Sequence, residues 1–231
     1  MELTTDAELE RSTVVANRLM NRERRLTSYG RELGIDIAAV LRAAGTRPAR
    51  WLDLCCGAAY ALGEATHLLG DDAEIVGVDL VGYFACPPDP PRLRLVTASA
   101  LTWRPDAPFD LITCVHGLHY IGDKLALLAR IPGWLTEGGL FAANFDVRSI
   151  RLPDGTPAGR RLTSALRSQG FLYDARTRRI RHTGRRAVDL PYRYLGANDQ
   201  AGPNYTGQPA VDSYYAAQGK PVAPPSTGDL S

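Results

Sequence analysis

Apolar residues follow two different rhythms along this chain. Near the N-terminus they recur at helical spacing: Val15, Leu19 and Leu26 share one face of a polar segment that opens on Thr5 and Glu8, the pair of a capping box. This predicts a helix over residues 6 to 29 ended by Gly30, then a shorter one from Asp36 to Ala44 closed by Gly45. From residue 49 the rhythm changes to short, nearly unbroken apolar runs: "ARWLDLC", "EIVGVDL", "LRLVTAS", "FDLITCV" and "GLFAANF". Runs without polar alternation suit strands buried on both faces of a parallel sheet. Helical stretches lie between them, Ala58 to Leu69 before Gly70 and Asp123 to Leu135 before the Gly138-Gly139 turn. Alternating strands and helices imply an α/β, doubly wound sheet with right-handed crossovers.

Past this core, "PAGRRLTSALRSQG" reads as a helix, and the stretches around Tyr173 to Arg181 and Ala187 to Leu195 as a closing antiparallel pair. The segment "VGYFACPPDPPRL" after the second strand is too proline-rich for a crossover helix, which leaves that side open or roofed by Tyr83 and Phe84. From Gly196 the chain turns rich in Gly, Pro, Ser and Asn, yet "YTGQPAVDSYYAA" is too aromatic for a linker. Tyr205 to Tyr215 is expected to dock, and the end from Gly219 to be mobile. The expected organisation is therefore residues 1–45 as a helical lid, 46–195 as the ligand-binding domain and 196–231 as a partly docked tail.

Composition narrows the setting. With 231 residues, 45% of them hydrophobic, there is material for one sizeable core. No window holds 18 consecutive apolar residues, and "MELTTDAELERS" is polar and acidic where a signal peptide is basic and then apolar, so a soluble cytoplasmic protein with no membrane partner is expected. The four cysteines, 55, 56, 86 and 114, then need no disulfide framework. The net charge of +2 hides an excess of nine positive charges between Arg148 and Arg193, where twelve arginines face Asp154, Asp174 and Asp189. Such a segment can attract phosphates, or form a solvated face.

Ligands of an open parallel sheet bind outside the carboxyl ends of its strands. After the first strand comes "DLCCGAAY", whose neighbouring cysteines could be a strained disulfide, metal ligands, a nucleophile or small residues of a tight turn. Gly57 lets backbone approach a ligand closely, Asp53 can accept from a cationic amino group, and Asp79 can take both hydroxyls of a ribose. Together they suggest an adenosine that carries an ammonium group.

In these residues the chain resembles the class I S-adenosylmethionine-dependent methyltransferases, whose first motif is an apolar strand followed by D-x-G-x-G-x-G. The resemblance spans residues 49 to 195 and implies a three-layer Rossmann-like fold: a mostly parallel seven-stranded sheet with an antiparallel closing strand, plus N-terminal helices. It implies S-adenosylmethionine as cofactor. Asp53 matches the motif's acid; Cys55, Gly57 and Ala59 stand at its three glycines, with Cys56 beside them. Asp79 matches the ribose ligand and Leu80 lies against the adenine. In "VTASAL", Ser99, flanked by Ala100 and Leu101, replaces an Asp the family usually places beside the adenine amine. "FDLITCVHGLHYI", with Cys114 at its strand end, resembles the fourth motif, and "GWLTEGGLF" the turn into the fifth strand. A nicotinamide enzyme competes within the fold, but G-x-G-x-x-G is absent.

Methyl transfer needs alignment first, and a base only where the acceptor must lose a proton. "HGLHY" supplies two candidates, His116 and His119, with His119 ahead because the family often has a polar residue there; either can also merely pack the loop. H-x-x-H lacks further metal ligands nearby, and Cys114 lacks the preceding proline of cytosine-C5 enzymes, so it reads as core. Tyr29 and Tyr120 are candidates for substrate or lid contact. The resemblance implies methylation of an O or N atom of a small molecule or modified peptide in bacterial specialised metabolism. The alternatives are an RNA methyltransferase using the arginine-rich 148–193 segment and a non-catalytic cofactor-binding scaffold, against which the presence of Asp79 argues.

Overall fold

The computed structural model describes residues 3–16, 24–89 and 91–218. Seven strands form one sheet: β1 (Ala49–Leu54), β2 (Ala73–Asp79), β3 (Leu93–Thr97), β4 (Phe109–Cys114), β5 (Leu135–Asn144), β7 (Leu172–Asp174) and β8 (Arg179–Thr183), in the order β3-β2-β1-β4-β5-β8-β7. The first five run parallel, and β8 enters antiparallel between β5 and β7. This is the Rossmann-like architecture with its order reversing between β1 and β4.

Burial on both faces follows from the unbroken apolar runs. Trp51, Ile75, Leu111 and Ala142 pack under α2 (Leu26–Leu33), α3 (Ile37–Ala43) and α4 (Tyr60–Leu69). Leu52, Leu54, Val76, Ile112 and Phe141 face the opposite way, onto α5 (Lys124–Arg130) and α6 (Gly159–Ser168). Each fully buried side chain of this size contributes about 1.5–3 kcal/mol, so the central strands anchor whatever their ends carry.

Several expected boundaries move for identifiable reasons. The N-terminal segment is not one helix in its described parts: α1 (Asp6–Leu9) carries the Thr5 and Glu8 capping box, and α2 begins only at Leu26. The expected helix over residues 17–23 lies outside the described residues. Gly30 sits inside α2, where a side chain would meet the Ile35 carbonyl 3.0 Å away, and Gly34, left-handed at φ +66°, ends the helix instead. Gly138 and Gly139 belong to β5, at a bulge where a Cβ on Gly139 would lie 2.7 Å from the Phe109 carbonyl.

The closing hairpin is β7 with β8 alone. The Ala187 to Leu195 stretch does not join it; β9 (Tyr192–Asn198) pairs with β10 (Asp212–Ala217), which also pairs with β6 (Ile150–Arg151), in a second sheet of three strands. The aromatic tail thus docks as a strand with Tyr214 and Tyr215 buried, while the stretch from Gly219 lies outside the described residues. Beneath it Lys124, fully buried, donates to the Ile121 and Val211 carbonyls and to Ser213 Oγ at 2.7–2.9 Å. Burial lowers that lysine's pKa to about 7.

The arginine-rich segment has internal work. Arg179 donates to the carbonyls of Glu32 and Arg31 at 2.7 and 2.6 Å, and Arg181 to those of Leu33 and Gly34 at 2.7 and 2.9 Å. The two guanidinium groups cap the carbonyl end of α2, where both hydrogen bonding and the helix dipole favour cations.

Candidate active site

A cleft enclosing about 1040 Å³, partly open to solvent, lies at the carboxyl ends of β1, β2 and β3. Its floor is the β1–α4 turn. Cys55, Gly57 and Ala59, the three positions aligned with glycines, all take left-handed φ of 59°, 59° and 63°. Non-glycine residues pay roughly 1–2 kcal/mol for this conformation, so the turn keeps the shape glycines would favour while two of them are replaced. Cys56 turns inward and packs against Gly77 of β2, where a Cβ would lie 2.9 Å from its sulfur.

Asp79 ends β2 with its carboxylate accepting from the backbone N–H of Gly57 at 2.9 Å and of Val81 at 3.0 Å. It lines the cleft, and a carboxylate has lone pairs left for two further donors. Asp53 differs. It is fully buried, with Oδ1 receiving Thr113 Oγ1 at 2.5 Å across the β1–β4 pairing and Oδ2 receiving the Tyr29 hydroxyl at 2.7 Å. It has no salt bridge among the described residues, and burial raises its pKa to about 7 despite those two bonds. Tyr29, not Asp53, reaches the cleft.

Leu80, Ser99, Ala100 and Leu101 line the cleft beyond Asp79. Tyr83 and Phe84 do not roof it: Tyr83 is 57% exposed and Phe84 packs on the helical side of the core. The roof comes from the N-terminal segment, including Asp6, Glu10, Val14 and Val15. Cys114 lies behind Cys55, fully buried and off the cleft wall. The neighbouring Cys114 thiol, together with burial, pushes the Cys55 thiol well above its usual range, and burial does the same to Cys56. Protonated thiols make poor nucleophiles.

The two histidines part company. His116, left-handed at φ 58°, lines the cleft; its backbone N–H donates to Asn144 Oδ1 at 3.3 Å and its Nε2 lies 3.1 Å from Glu32 Oε2. His119 stacks behind it, 5.7 Å between ring centroids, and faces a second hollow with Asp146, Arg148, Arg151 and Tyr205. Burial lowers the pKa of His119 to about 3, and its Nε2 has no partner among the described residues. The Tyr205 hydroxyl lies 3.5 Å from His116 Nδ1, while Tyr120, on the cleft wall, donates to Gln208 at 3.2 Å. Among the described residues no group of three or more His, Cys, Asp or Glu can hold a metal ion, and no helix is long and apolar enough to cross a membrane.

A family model described as a methyltransferase domain matches residues 22–173. The chain belongs to this methyltransferase family. Its cofactor is S-adenosylmethionine. Among curated proteins this methyltransferase is similar to two trans-aconitate 2-methyltransferases. The one from Streptomyces avermitilis is 32% identical over 168 residues, 65% of this chain and 55% of that protein. The one from Methylobacterium radiotolerans is 32% identical over 108 residues, 45% and 37%. The chain therefore spans about half the length, or less, of these relatives. Of solved structures, the N-methyltransferase NodS from Bradyrhizobium japonicum, in complex with S-adenosylhomocysteine, aligns at 14% identity over 78% of this chain and 98% of that one, with a TM-score of 0.43.

Sequence reasoning missed Thr113, Glu32, Asn144, Tyr205 and Glu10. Thr113 alone had a signal, its place beside Asp53 once the two strands are paired.

Proposed function

We propose that this methyltransferase methylates an oxygen or nitrogen of a small molecule or modified peptide, with His116 as general base. The His116–Glu32 pair carries this reading. A carboxylate only accepts, so Glu32 fixes the proton on Nε2 and leaves the lone pair on Nδ1, toward the Tyr205 hydroxyl. An acceptor hydroxyl or amine entering there can give its proton to Nδ1 while Glu32 steadies the imidazolium. His119, kept neutral and weakly basic by burial, serves this reading as the ring on which His116 rests.

The remaining residues fit the cofactor. Asp79 would hold the ribose hydroxyls, the Cys55 to Ala59 turn would pass beneath the amino-acid end, and Tyr29, braced by Asp53, would meet that end from above. The bound cofactor supplies an electrophilic methyl group on a sulfonium, open to in-line displacement. The residues of the chain hold, orient and remove a proton.

The curated relatives are named for a polycarboxylate, which would need unpaired cations in the second hollow, beside Tyr205, where an acceptor would enter. Arg148 pairs with Asp146 at 3.2 Å and Arg151 with Asp212 at 2.7 Å, so a polar acceptor of low charge suits the hollow better. RNA suits it less, since Arg178 stacks 4.0 Å over Tyr205, and Arg179 and Arg181 are spent on α2. The test is formation of S-adenosylhomocysteine with panels of hydroxylated and amino small molecules, azole-containing peptides, trans-aconitate and RNA. Turnover confined to RNA or trans-aconitate would sink the reading.

A further inference from the structure

With the ribose on Asp79 and the amino-acid end over the β1–α4 turn, the base must project the other way, toward the ends of β2 and β3. There the cleft wall is apolar, formed by Leu80, Val81, Ala98, Ala100 and Leu101, a slot for a flat ring. Its polar groups are few. Ser99 donates its one hydroxyl hydrogen to Glu10 Oε1, and its oxygen accepts the Leu101 N–H at 3.1 Å. Ser99 therefore has no hydrogen to offer a ligand and little accepting capacity left. Glu10 also lines the cleft, and its carboxylate has uncommitted lone pairs. Among the described residues the other carboxylate on this part of the roof, Asp6, accepts the Tyr194 hydroxyl at 2.8 Å.

Glu10 is not a loose surface group. The Thr4 and Ala197 backbones exchange N–H···O bonds at 2.8 and 3.0 Å, joining the N-terminal segment to β9. Leu9, next to Glu10, is buried against Ala197 and Val211. The second sheet thus holds the N-terminal segment over the cleft at the height of Ser99.

We infer that Glu10 is the adenine-reading residue of this enzyme: its carboxylate, steadied by Ser99, accepts a hydrogen bond from the 6-amino group of the cofactor's base. The specificity element is thus delivered by the N-terminal roof, and the donor site is complete only when that roof is seated. The inference rests on the adenosine placement proposed above.

The test is calorimetric binding of S-adenosylhomocysteine and of its deaminated purine analogue, in which hydrogen replaces the 6-amino group. The wild-type protein should prefer the natural ligand by about ten- to thirtyfold, the worth of one charge-assisted hydrogen bond. Glu10→Ala should lose that preference and leave the analogue's affinity unchanged within about threefold. Adding Ser99→Asp to Glu10→Ala should restore it, by placing a carboxylate on the neighbouring residue. Glu10→Ala binding the natural ligand undiminished, or losing both ligands equally, overturns the inference. A wild-type protein that binds neither ligand overturns the adenosine placement itself, and this inference with it.

Discussion

The two halves of the sheet's carboxyl edge are built differently. The floor of the proposed donor half, at the ends of β1 and β2, is made by neighbours in sequence: a strand, a five-residue turn of alternating left-handed residues, a helix, and an acid at the next strand's end. The proposed acceptor half, at the ends of β4 and β5, is assembled from distant pieces. His116 meets Glu32 across 84 positions, Asn144 across 28 and Tyr205 across 89. A site built from local backbone geometry tolerates Cys and Ala for Gly, because strand and helix fix the shape. One built from long-range side-chain contacts depends on each partner and can be re-specified by changing loops.

The sharpest test of this division is His116→Ala. Turnover should fall by about 10²- to 10⁴-fold, with affinity for S-adenosylhomocysteine kept within a few-fold. Loss of both together would mean that the halves are not separable. Next is Asp53, which is buried in the donor half and has a raised pKa. Between about pH 4 and 7 the folded protein binds a proton that the unfolded chain has released, so stability falls as pH rises through this window. Relative to Asp53→Asn, the cofactor-free wild-type protein should lose on the order of 3 kcal/mol from pH 4 to pH 7 in urea unfolding. A difference that is flat with pH would refute the protonated Asp53. Asp79→Ala should weaken S-adenosylhomocysteine binding by about thirty- to a hundredfold, since it removes the carboxylate proposed to hold the ribose and frees the Gly57 amide. Undiminished binding would dismantle the donor half as drawn. The smallest effect is expected from Ala59→Gly, which should raise stability by about 0.5–1 kcal/mol by relieving a left-handed alanine. A loss would mean that the Cβ packs to more effect than it strains.

The same division explains what could be read in advance. The first five strands, α4, the Asp53–Ala59 turn and Asp79 announce themselves through apolar runs and short spacing, signals that act over a few residues. The partner of β9 does not: the alternation in "VDLPYRYLGA" suits any sheet edge, and the choice is made by β10 and by Lys124 beneath it. The end of α2 was misplaced because Gly30 and Gly34 offer the same letter for different tasks, one admitting a carbonyl and the other closing the helix. Glu32 and Glu10 carried no local mark, since a glutamate on a polar segment reads as solvated until the fold brings its partner to it.

One feature reaches across both halves. Tyr29 and Glu32 stand one turn apart on α2, the first bonded to Asp53 in the donor half and the second to His116 in the acceptor half. Arg179 and Arg181 fasten that helix to β8 by its last carbonyls, so the backbone that carries both side chains is held against the sheet. A substitution that displaces this eight-residue helix should therefore disturb the Asp53 and His116 contacts together, whereas one confined to either side chain should disturb only its own.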